Sequence, residues 1–323
     1  MNKPITLPAR TFNLRDLPAA QYQLSEGLRS AGEVAIALGQ PLLVTGEPGT
    51  GKTQLAYKVA HDLHQQTNGQ FRSTPLKFST KTTATARDLF YYYDALRHFR
   101  EANLRKESGE LHVPDFIELR ALGEAIACAD PEGAGPYRQK DKAGNDLPRN
   151  SVVLIDEIDK APRDFPNDLL AELEQFTFNI HEEGNRSLRK PDDAQIMVIL
   201  TSNSEKTLPE AFLRRCVFYR IPFPDTQLLL EIVKARLGES HPLADEELVV
   251  LFEKLRDHAT RKKPATAELV AWLHALQLHD GLKDGFDPKK LTPAQRSQLL
   301  LSLSVLAKTQ DDINTLLAYI KKL

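Results

Sequence analysis

Eight consecutive residues near the start of the chain have the pattern of a phosphate-binding loop. They read Gly46-Glu47-Pro48-Gly49-Thr50-Gly51-Lys52-Thr53 and match G-x-x-x-x-G-K-[ST]. In such a loop the glycines let backbone N–H groups point inward and cradle two phosphates at a helix N-terminus. The Lys52 ammonium then reaches the β and γ phosphates, and the Thr53 hydroxyl is a ligand of Mg²⁺. An ordinary turn is the alternative interpretation.

The residues on both sides of this loop favour the phosphate site over the turn. Leu42, Leu43 and Val44 form an apolar run that predicts a buried strand at 41–45. Apolar residues recur at helical spacing over 54–64. A strand, a glycine loop and a helix in this order are the context in which the pattern binds nucleotide.

A second apolar run, further along the chain, ends in two carboxylates. Residues 152–155 predict a buried strand, and Asp156 and Glu157 follow it directly. We expect Asp156 to hold Mg²⁺ through its water shell and Glu157 to polarise the attacking water. A protein that binds nucleotide without hydrolysing it needs only the first acid. The pair therefore indicates hydrolysis.

Two further signals follow a third predicted strand at 196–200. Asn203 at its end can accept from the attacking water or donate to a phosphate oxygen, although asparagine is also common in turns that end strands. Arg214 and Arg215 stand between apolar residues, which is typical of an arginine finger that enters a neighbouring subunit's site. A surface ion pair or simple solvation is the alternative for both arginines, and Arg215 is the favoured finger.

The bulk composition excludes several classes of protein. The chain has 323 residues and a net charge of −2, so it carries no global footprint for nucleic acid. It contains no apolar run of about 18 residues and no apolar signal core near its start. Cys128 and Cys216 lack metal-like spacing and the nine histidines form no cluster, so we expect no metal other than Mg²⁺. These features predict a cytoplasmic protein without a membrane segment.

The pattern of elements changes once along the chain. Prolines predict an extended segment at 1–20. Strands alternate with helices over 21–222, which predicts an α/β nucleotide-binding domain with a parallel sheet. After Pro222 the segments have helical spacing and no convincing strand, which predicts a small all-α domain at 223–323.

These motifs together resemble those of the AAA+ ATPases, and more narrowly those of the MoxR family. The nucleotide motifs are GEPGTGKT, VVLIDEID, TSN and LPEAFLRRC, and the narrower likeness lies in DLFYYYD, IDKAPRDFPNDLLAELEQFTFNI and TLPEAFLRRC. The resemblance covers about 35–310 and implies an AAA+ parallel sheet flanked by helices, a helical lid, and ATP as the nucleotide. It identifies Asn203 with sensor 1 and Arg215 with the finger. It also implies hairpins within about 83–120 and from 176 to 193.

One position departs from the AAA+ pattern. Many AAA+ proteins carry a second-sensor arginine at the start of the third lid helix, and the aligned position in this chain is Glu268. Either Lys262 or Lys263 replaces that arginine, or the sensor is absent. A lysine is a point charge and not a planar fork, so the exchange would not be neutral.

The resemblance also implies partners. MoxR-like proteins form homo-oligomeric rings, typically hexamers, that remodel or mature a protein client, often with a von Willebrand A-domain protein. Tyr91, Tyr92 and Tyr93 could grip a substrate or pack against the neighbouring subunit. The basic run from Arg186 to Lys190 could contact a phosphate backbone, but a solvated hairpin tip is the simpler interpretation, so nucleic acid is not the favoured partner.

Two other classes of function stay open on the sequence. A nucleic-acid motor or restriction-type NTPase would have the same loop and acid pair, and DNA or RNA would stimulate its hydrolysis. A small-molecule kinase or transferase would share the loop, but it would need neither Asn203 nor the arginine pair nor a ring.

Overall fold

The computed structural model describes residues 18–104, 111–204, 208–277, 286–288 and 290–323. The chain forms two compact units. The α/β unit consists of Leu24–Gly46 and Lys52–Ile221, and the helical unit consists of Glu47–Gly51, Pro222–Leu323 and the described N-terminal residues. The extended segment expected at 1–20 lies, as far as residue 17, outside the described residues.

The strands of the α/β unit are short, and three of them are buried along their whole length. In the described part of the chain they are β1 (Leu42–Gly46), β2 (Leu76–Ser79), β3 (Tyr91–Tyr93), β4 (Ile117–Leu119), β5 (Ser151–Asp156), β6 (Thr177–Ile180), β7 (Arg186–Arg189), β8 (Ile196–Ser202) and β9 (Val217–Ile221).

Five of these strands form one parallel sheet in the order β2-β5-β8-β1-β9. Every residue of β1, β5 and β8 is buried, as expected for central strands that are covered on both faces. Their near-continuous apolar runs explain why the sequence predicts them. The edge strand β9 alternates between half-buried and exposed residues, and the sequence pattern did not reveal it.

The helices of the α/β unit flank this sheet. They are α1 (Glu26–Leu38), α2 (Lys52–Gln66), α3 (Ala95–Leu104), α4 (Ala121–Ala129), α5 (Phe165–Asp168), α6 (Leu170–Gln175) and α7 (Glu210–Leu213). The parallel sheet between helices, followed by a helical region, confirms the predicted fold class.

Two antiparallel hairpins stand apart from the sheet. β3 pairs with β4, and β6 pairs with β7, so both expected hairpins are present. The turn of the second hairpin contains the short helix His181–Glu183 and Gly184. The basic run from Arg186 to Lys190 therefore lies on and just after β7, and its interpretation as a hairpin tip is wrong.

The helical unit is built from five helices around its own apolar core. In the described residues they are α8 (Thr226–Leu237), α9 (Glu246–His258), α10 (Thr266–Gln277), α11 (Pro293–Leu306) and α12 (Gln310–Lys322). Trp272 is fully buried in this core, and its indole N–H donates to the Ser302 hydroxyl at 2.7 Å. No helix within the described ranges is long and apolar enough to cross a membrane.

A buried carboxylate anchors the loop that connects α9 to α10. Asp312, at the start of α12, is fully buried, and its oxygens accept from the backbone N–H groups of Thr260, Arg261 and Lys262 at 2.8–3.0 Å. The Thr309 hydroxyl also donates to it. These hydrogen bonds outweigh the opposing effect of burial and lower the pKa of Asp312 to about 2.

We expect Asp312→Asn to lower the free energy of unfolding at pH 7 by about 3 kcal/mol, because an amide N–H₂ on a buried side chain would face two donors that a carboxylate oxygen now accepts from. The pKa of Asp312 is lowered by folding, so its contribution is present above its ordinary value near 3.8 and is lost as pH falls toward about 2. Urea unfolding of both proteins at pH 7, 5 and 3 measures this.

The matched control is Asp311→Asn, which changes the exposed neighbouring carboxylate that pairs with Arg261 at 3.4 Å. It should change the free energy of unfolding by less than about 0.5 kcal/mol. Equal effects of the two substitutions would contradict an anchoring role for Asp312.

Candidate functional site

The carboxylate at the end of β5 is the centre of the site. Oδ1 of Asp156 accepts from the Thr53 hydroxyl at 2.9 Å and from the Thr201 hydroxyl at 2.7 Å. Oδ2 lies 2.7 Å from the Lys77 ammonium nitrogen. These three partners come from α2, β8 and β2. The two strands lie on either side of β5 in the parallel sheet, so all three strands end at the same edge.

These contacts also set the charge of Asp156. Burial raises the pKa of its carboxyl, but the hydrogen bonds from Lys77, Thr201 and Thr53 together lower the pKa by more than burial raises it. The pKa of Asp156 therefore lies below the ordinary value. The group is therefore a carboxylate at neutral pH. An ionised carboxylate beside a threonine hydroxyl is a pair of hard oxygen ligands, which fits Mg²⁺.

The last two residues of the glycine loop begin α2. Lys52 is buried, with 7% of its surface exposed, and its ammonium donates to the carbonyl oxygen of Gly46 at 2.8 Å. Thr53 follows it and reaches Asp156. Both side chains thus lie at a helix N-terminus, where backbone N–H groups and the helix dipole favour an anion.

The middle of the loop, residues 47–51, belongs to the helical unit. Gly49 and Gly51 have φ values of +80° and +84°, which side chains rarely adopt. A Cβ added to Gly51 would lie 2.8 Å from a ring carbon of Tyr22. The Thr50 hydroxyl closes the turn by donating to the Glu47 carbonyl at 2.8 Å. The glycines are therefore needed for this backbone, as a phosphate cradle requires.

Glu157 has an unusual backbone conformation. Its φ and ψ are 59° and 51°, the left-handed region that non-glycine residues seldom occupy. Its N–H donates to the Thr201 hydroxyl at 2.9 Å, and its carboxylate accepts from the Lys160 ammonium at 2.5 Å. The carboxylate is partly exposed, so this ion pair is open to exchange with water or a ligand.

Asn203 lies just beyond the end of β8, next to the acid pair. The residue is exposed, and its backbone N–H donates to Oδ1 of Asp159 at 3.2 Å. Asp159 belongs to the short turn that follows Glu157. Because β5 and β8 are neighbours, Asp156, Glu157 and Asn203 share one edge of the sheet.

The arginine pair lies at the end of α7 and contacts other residues. Arg215 donates to the Glu174 carboxylate at 2.5 Å and to the Ala211 carbonyl at 3.1 Å. Arg214 pairs with Glu210. Both arginines are exposed. Their partners are glutamates of the same chain that do not belong to the acid pair.

Sequence reasoning missed Arg256, which contacts the loop within the helical unit. This α9 residue is buried, and its guanidinium donates to Glu47 Oε2 and to the Pro264 carbonyl, each at 2.5 Å. Its guanidinium carbon lies 3.6 Å from the ring centre of Phe223. Its position on the apolar face of α9, where arginine is rarely buried without partners, is the signal that could have revealed it.

The residues considered as second sensors have other contacts. The backbone N–H of Lys262 donates to Asp312, and the Lys263 ammonium lies 3.7 Å from Asp257. Glu268 accepts from the backbone N–H of Ala265 at 3.1 Å, at the start of α10. Among the described residues of the helical unit, Arg256 is thus the cation that is seen to contact a side chain of the loop, that of Glu47.

Comparison with known proteins gives a family match and several structural likenesses. The family described as AAA domain (dynein-related subfamily) matches residues 41–216. None of the curated protein sequences matches the chain. With TM-scores below 0.5, the likenesses to solved structures carry no argument beside the family match.

For three of these solved structures, the values in parentheses are the sequence identity, the TM-score, the coverage of this chain and the coverage of the other chain. They are a RuvB mutant from Thermotoga maritima (16%, 0.46, 93% and 75%), domain III of the replication initiation protein DnaA from the same organism (14%, 0.42, 90% and 97%) and the FIGL-1 AAA domain in complex with ADP (16%, 0.46, 98% and 92%).

We expect Lys77→Met to raise the pKa of the Asp156 carboxyl, because burial would then be opposed only by the hydroxyls of Thr53 and Thr201. Lys77→Arg keeps a cation at this place and is the matched control. A pH titration of the Asp156 carboxyl carbon shift by NMR measures the pKa in each variant. An unchanged low pKa in Lys77→Met would show that the hydroxyls alone keep the carboxyl ionised.

Proposed function

This chain belongs to the AAA domain family, dynein-related subfamily, and is an ATP hydrolase. We propose that it works as a homo-oligomeric ring that remodels or matures a protein client. The observation that carries the proposal is the sheet edge at which Asp156, bonded to Thr53 of the loop, lies beside Glu157 and Asn203. The MoxR resemblance supports a hexamer and a von Willebrand A-domain partner.

In this proposal the loop and α2 bind the phosphates of ATP. The backbone N–H groups of residues 46–53 and the Lys52 ammonium neutralise phosphate charge at the helix N-terminus. Thr53 and Asp156 are the residues that would hold Mg²⁺, the first directly and the second through water. When bound, Mg²⁺ neutralises charge on the β and γ phosphate oxygens.

Glu157 and Asn203 act on the attacking water. The Glu157 carboxylate is held in the structure by Lys160, and leaving that exposed ion pair frees it to accept a proton from water. The Asn203 side chain, at the adjacent strand end, orients the same water or donates to the γ phosphate. Hydrolysis rather than transfer to a second substrate follows from a base that faces water.

The placement of the arginines supports a ring. ATP hydrolysis develops charge that an arginine finger stabilises. Arg214 and Arg215 are exposed directly after α7, and they pair with Glu210 and Glu174, which are not part of the acid pair. An arginine that is exposed in one subunit is available to a neighbour. We therefore propose that Arg215 of one subunit completes the site of the next.

The described surface supports a protein client better than nucleic acid. In the basic run on β7, Arg186 donates to the Gly133 carbonyl and pairs with Glu183, and Lys190 donates to the carbonyls of Pro191 and Ala194. Two of the three cations of this run are thus already bound within the chain, which leaves them less available to a phosphate backbone.

An exposed aromatic residue of the first hairpin is the candidate client contact. The Tyr91 hydroxyl donates to Glu182 and its ring is buried, whereas 49% of the surface of Tyr92 is exposed. Of the three tyrosines, Tyr92 is therefore the one we propose to contact a client.

We expect Glu157→Gln to bind ATP as tightly as the wild type and to lose turnover by at least about 100-fold, because the amide cannot accept the proton of the attacking water. Equilibrium binding of a fluorescent ATP analogue and steady-state phosphate release measure the two quantities. Unchanged hydrolysis would remove Glu157 from the mechanism.

We expect Arg215→Ala and Lys52→Ala subunits, each inactive alone, to regain activity when mixed. Mixed rings contain some sites in which an intact loop faces an intact finger. ATP hydrolysis is measured against the mixing ratio, and co-assembly is verified by mass measurement. The double variant Lys52→Ala/Arg215→Ala mixed with Arg215→Ala is the control, since it cannot form such a site. Co-assembly without rescue would argue against a finger acting between subunits.

A further inference from the structure

One side chain links both acids of the site through a single oxygen atom. Thr201 lies on β8, with 1% of its surface exposed, and its hydroxyl oxygen is 2.7 Å from Asp156 Oδ1 and 2.9 Å from the backbone nitrogen of Glu157. Its strand is the direct neighbour of β5, which ends at Asp156 and is followed by Glu157. The hydroxyl therefore bridges from one strand to the tip of the next.

The direction of both hydrogen bonds is fixed by chemistry. A hydroxyl has one proton and two lone pairs, whereas a backbone N–H can only donate. The Thr201 oxygen must therefore accept from Glu157, and its one proton goes to the Asp156 carboxylate. Oδ1 of Asp156 also accepts from Thr53, so the bridge and the loop meet at the same carboxylate oxygen.

The hydrogen bond from the Glu157 N–H to the Thr201 hydroxyl stabilises an unusual backbone conformation. The β5 ladder with β8 pairs Ile155 with Leu200, and the chain then turns away at Glu157 with φ of 59°. A left-handed non-glycine residue is strained, and it persists only where its surroundings hold it. Without the hydroxyl, the N–H of this residue would lose its acceptor. The hydroxyl is thus what holds the strained turn.

We propose that Thr201 is a positioning residue for ATP hydrolysis, which sets the Asp156 carboxylate and the Glu157 backbone in one fixed arrangement. The proposal rests on the catalytic role proposed above for Glu157. Thr201 acts through its hydrogen bonds with Asp156 and Glu157. Its removal should misplace Glu157 and leave unchanged the hydrogen bond between the phosphate-binding residues Lys52 and Gly46, in which Thr201 takes no part.

The test compares Thr201→Val, which keeps the shape and removes the hydroxyl, with Thr201→Ser, which keeps the hydroxyl. In the full chain we expect Thr201→Val to lower kcat by about 100-fold, the loss typical of a catalytic group misplaced by about 1 Å. The KM for ATP and the Kd of a fluorescent ATP analogue should stay within about threefold of the wild type. Thr201→Ser should keep at least about a third of the wild-type kcat, because it restores both hydrogen bonds.

The chain offers a matched control on the neighbouring strand β1. Thr45 is equally buried, with 1% of its surface exposed, and its hydroxyl has no hydrogen-bond partner within the described residues. Thr45→Val makes the same chemical change without breaking a hydrogen bond, and it should leave kcat within about twofold of the wild type. A loss of similar size in both valine variants would overturn the proposal, because packing alone would then explain it.

Parallel measurement of Glu157→Gln separates this inference from the function on which it rests. If Glu157→Gln hydrolyses ATP normally, the catalytic role of Glu157 is wrong, whatever Thr201 does. If Glu157→Gln is inactive but Thr201→Val turns over at the wild-type rate, only the positioning role of Thr201 is wrong. If Thr201→Val does not fold, Thr201→Ser against Thr201→Ala decides the question, and equal kcat in those two variants overturns the proposal.

Discussion

The ionised, buried carboxylate of Asp156 is the constraint on which the arrangement of the α/β unit depends. A buried charge is tolerated only where it is paired and hydrogen-bonded. Its partners come from three places far apart in sequence, namely Thr53 on α2, Lys77 on β2 and Thr201 on β8. β5 must therefore lie between β2 and β8 with its end beside the first turn of α2, and this is the order that brings Thr53, the acids and Asn203 to one edge.

The helical unit uses the same physical device for a structural purpose. Asp312 is buried and ionised, and its partners are backbone N–H groups of one loop, so it fixes that loop. Arg256 is a buried cation in the same unit, and its partners Glu47 and Pro264 tie a loop residue to the chain that leads into α10. In both units, a few desolvated charges determine which segments are held together.

Much of this architecture is readable from the sequence because burial imposes a pattern. The central strands β1, β5 and β8 are covered on both faces and appear as apolar runs, and α8 to α12 lie in the region after Pro222 where the sequence has helical spacing. The edge strand β9 has no such run, and the basic residues of β7 look like a turn because they are polar.

The contacts of the site are less accessible to sequence reasoning. Lys77, Thr201 and Arg256 are ordinary residues in their own segments, and their partners Asp156 and Glu47 are distant in sequence. Only the pairing of strands and helices reveals them.

The turn at Glu157 is equally hidden, because its left-handed conformation is one that glutamate seldom adopts. Glycine, or asparagine, would occupy it with less strain, so the chain gives up stability at this residue in order to keep a carboxylate there. With the role proposed above for Glu157, a lineage that no longer required turnover would accumulate glycine or asparagine at this position, and a gain in stability would accompany the loss of activity.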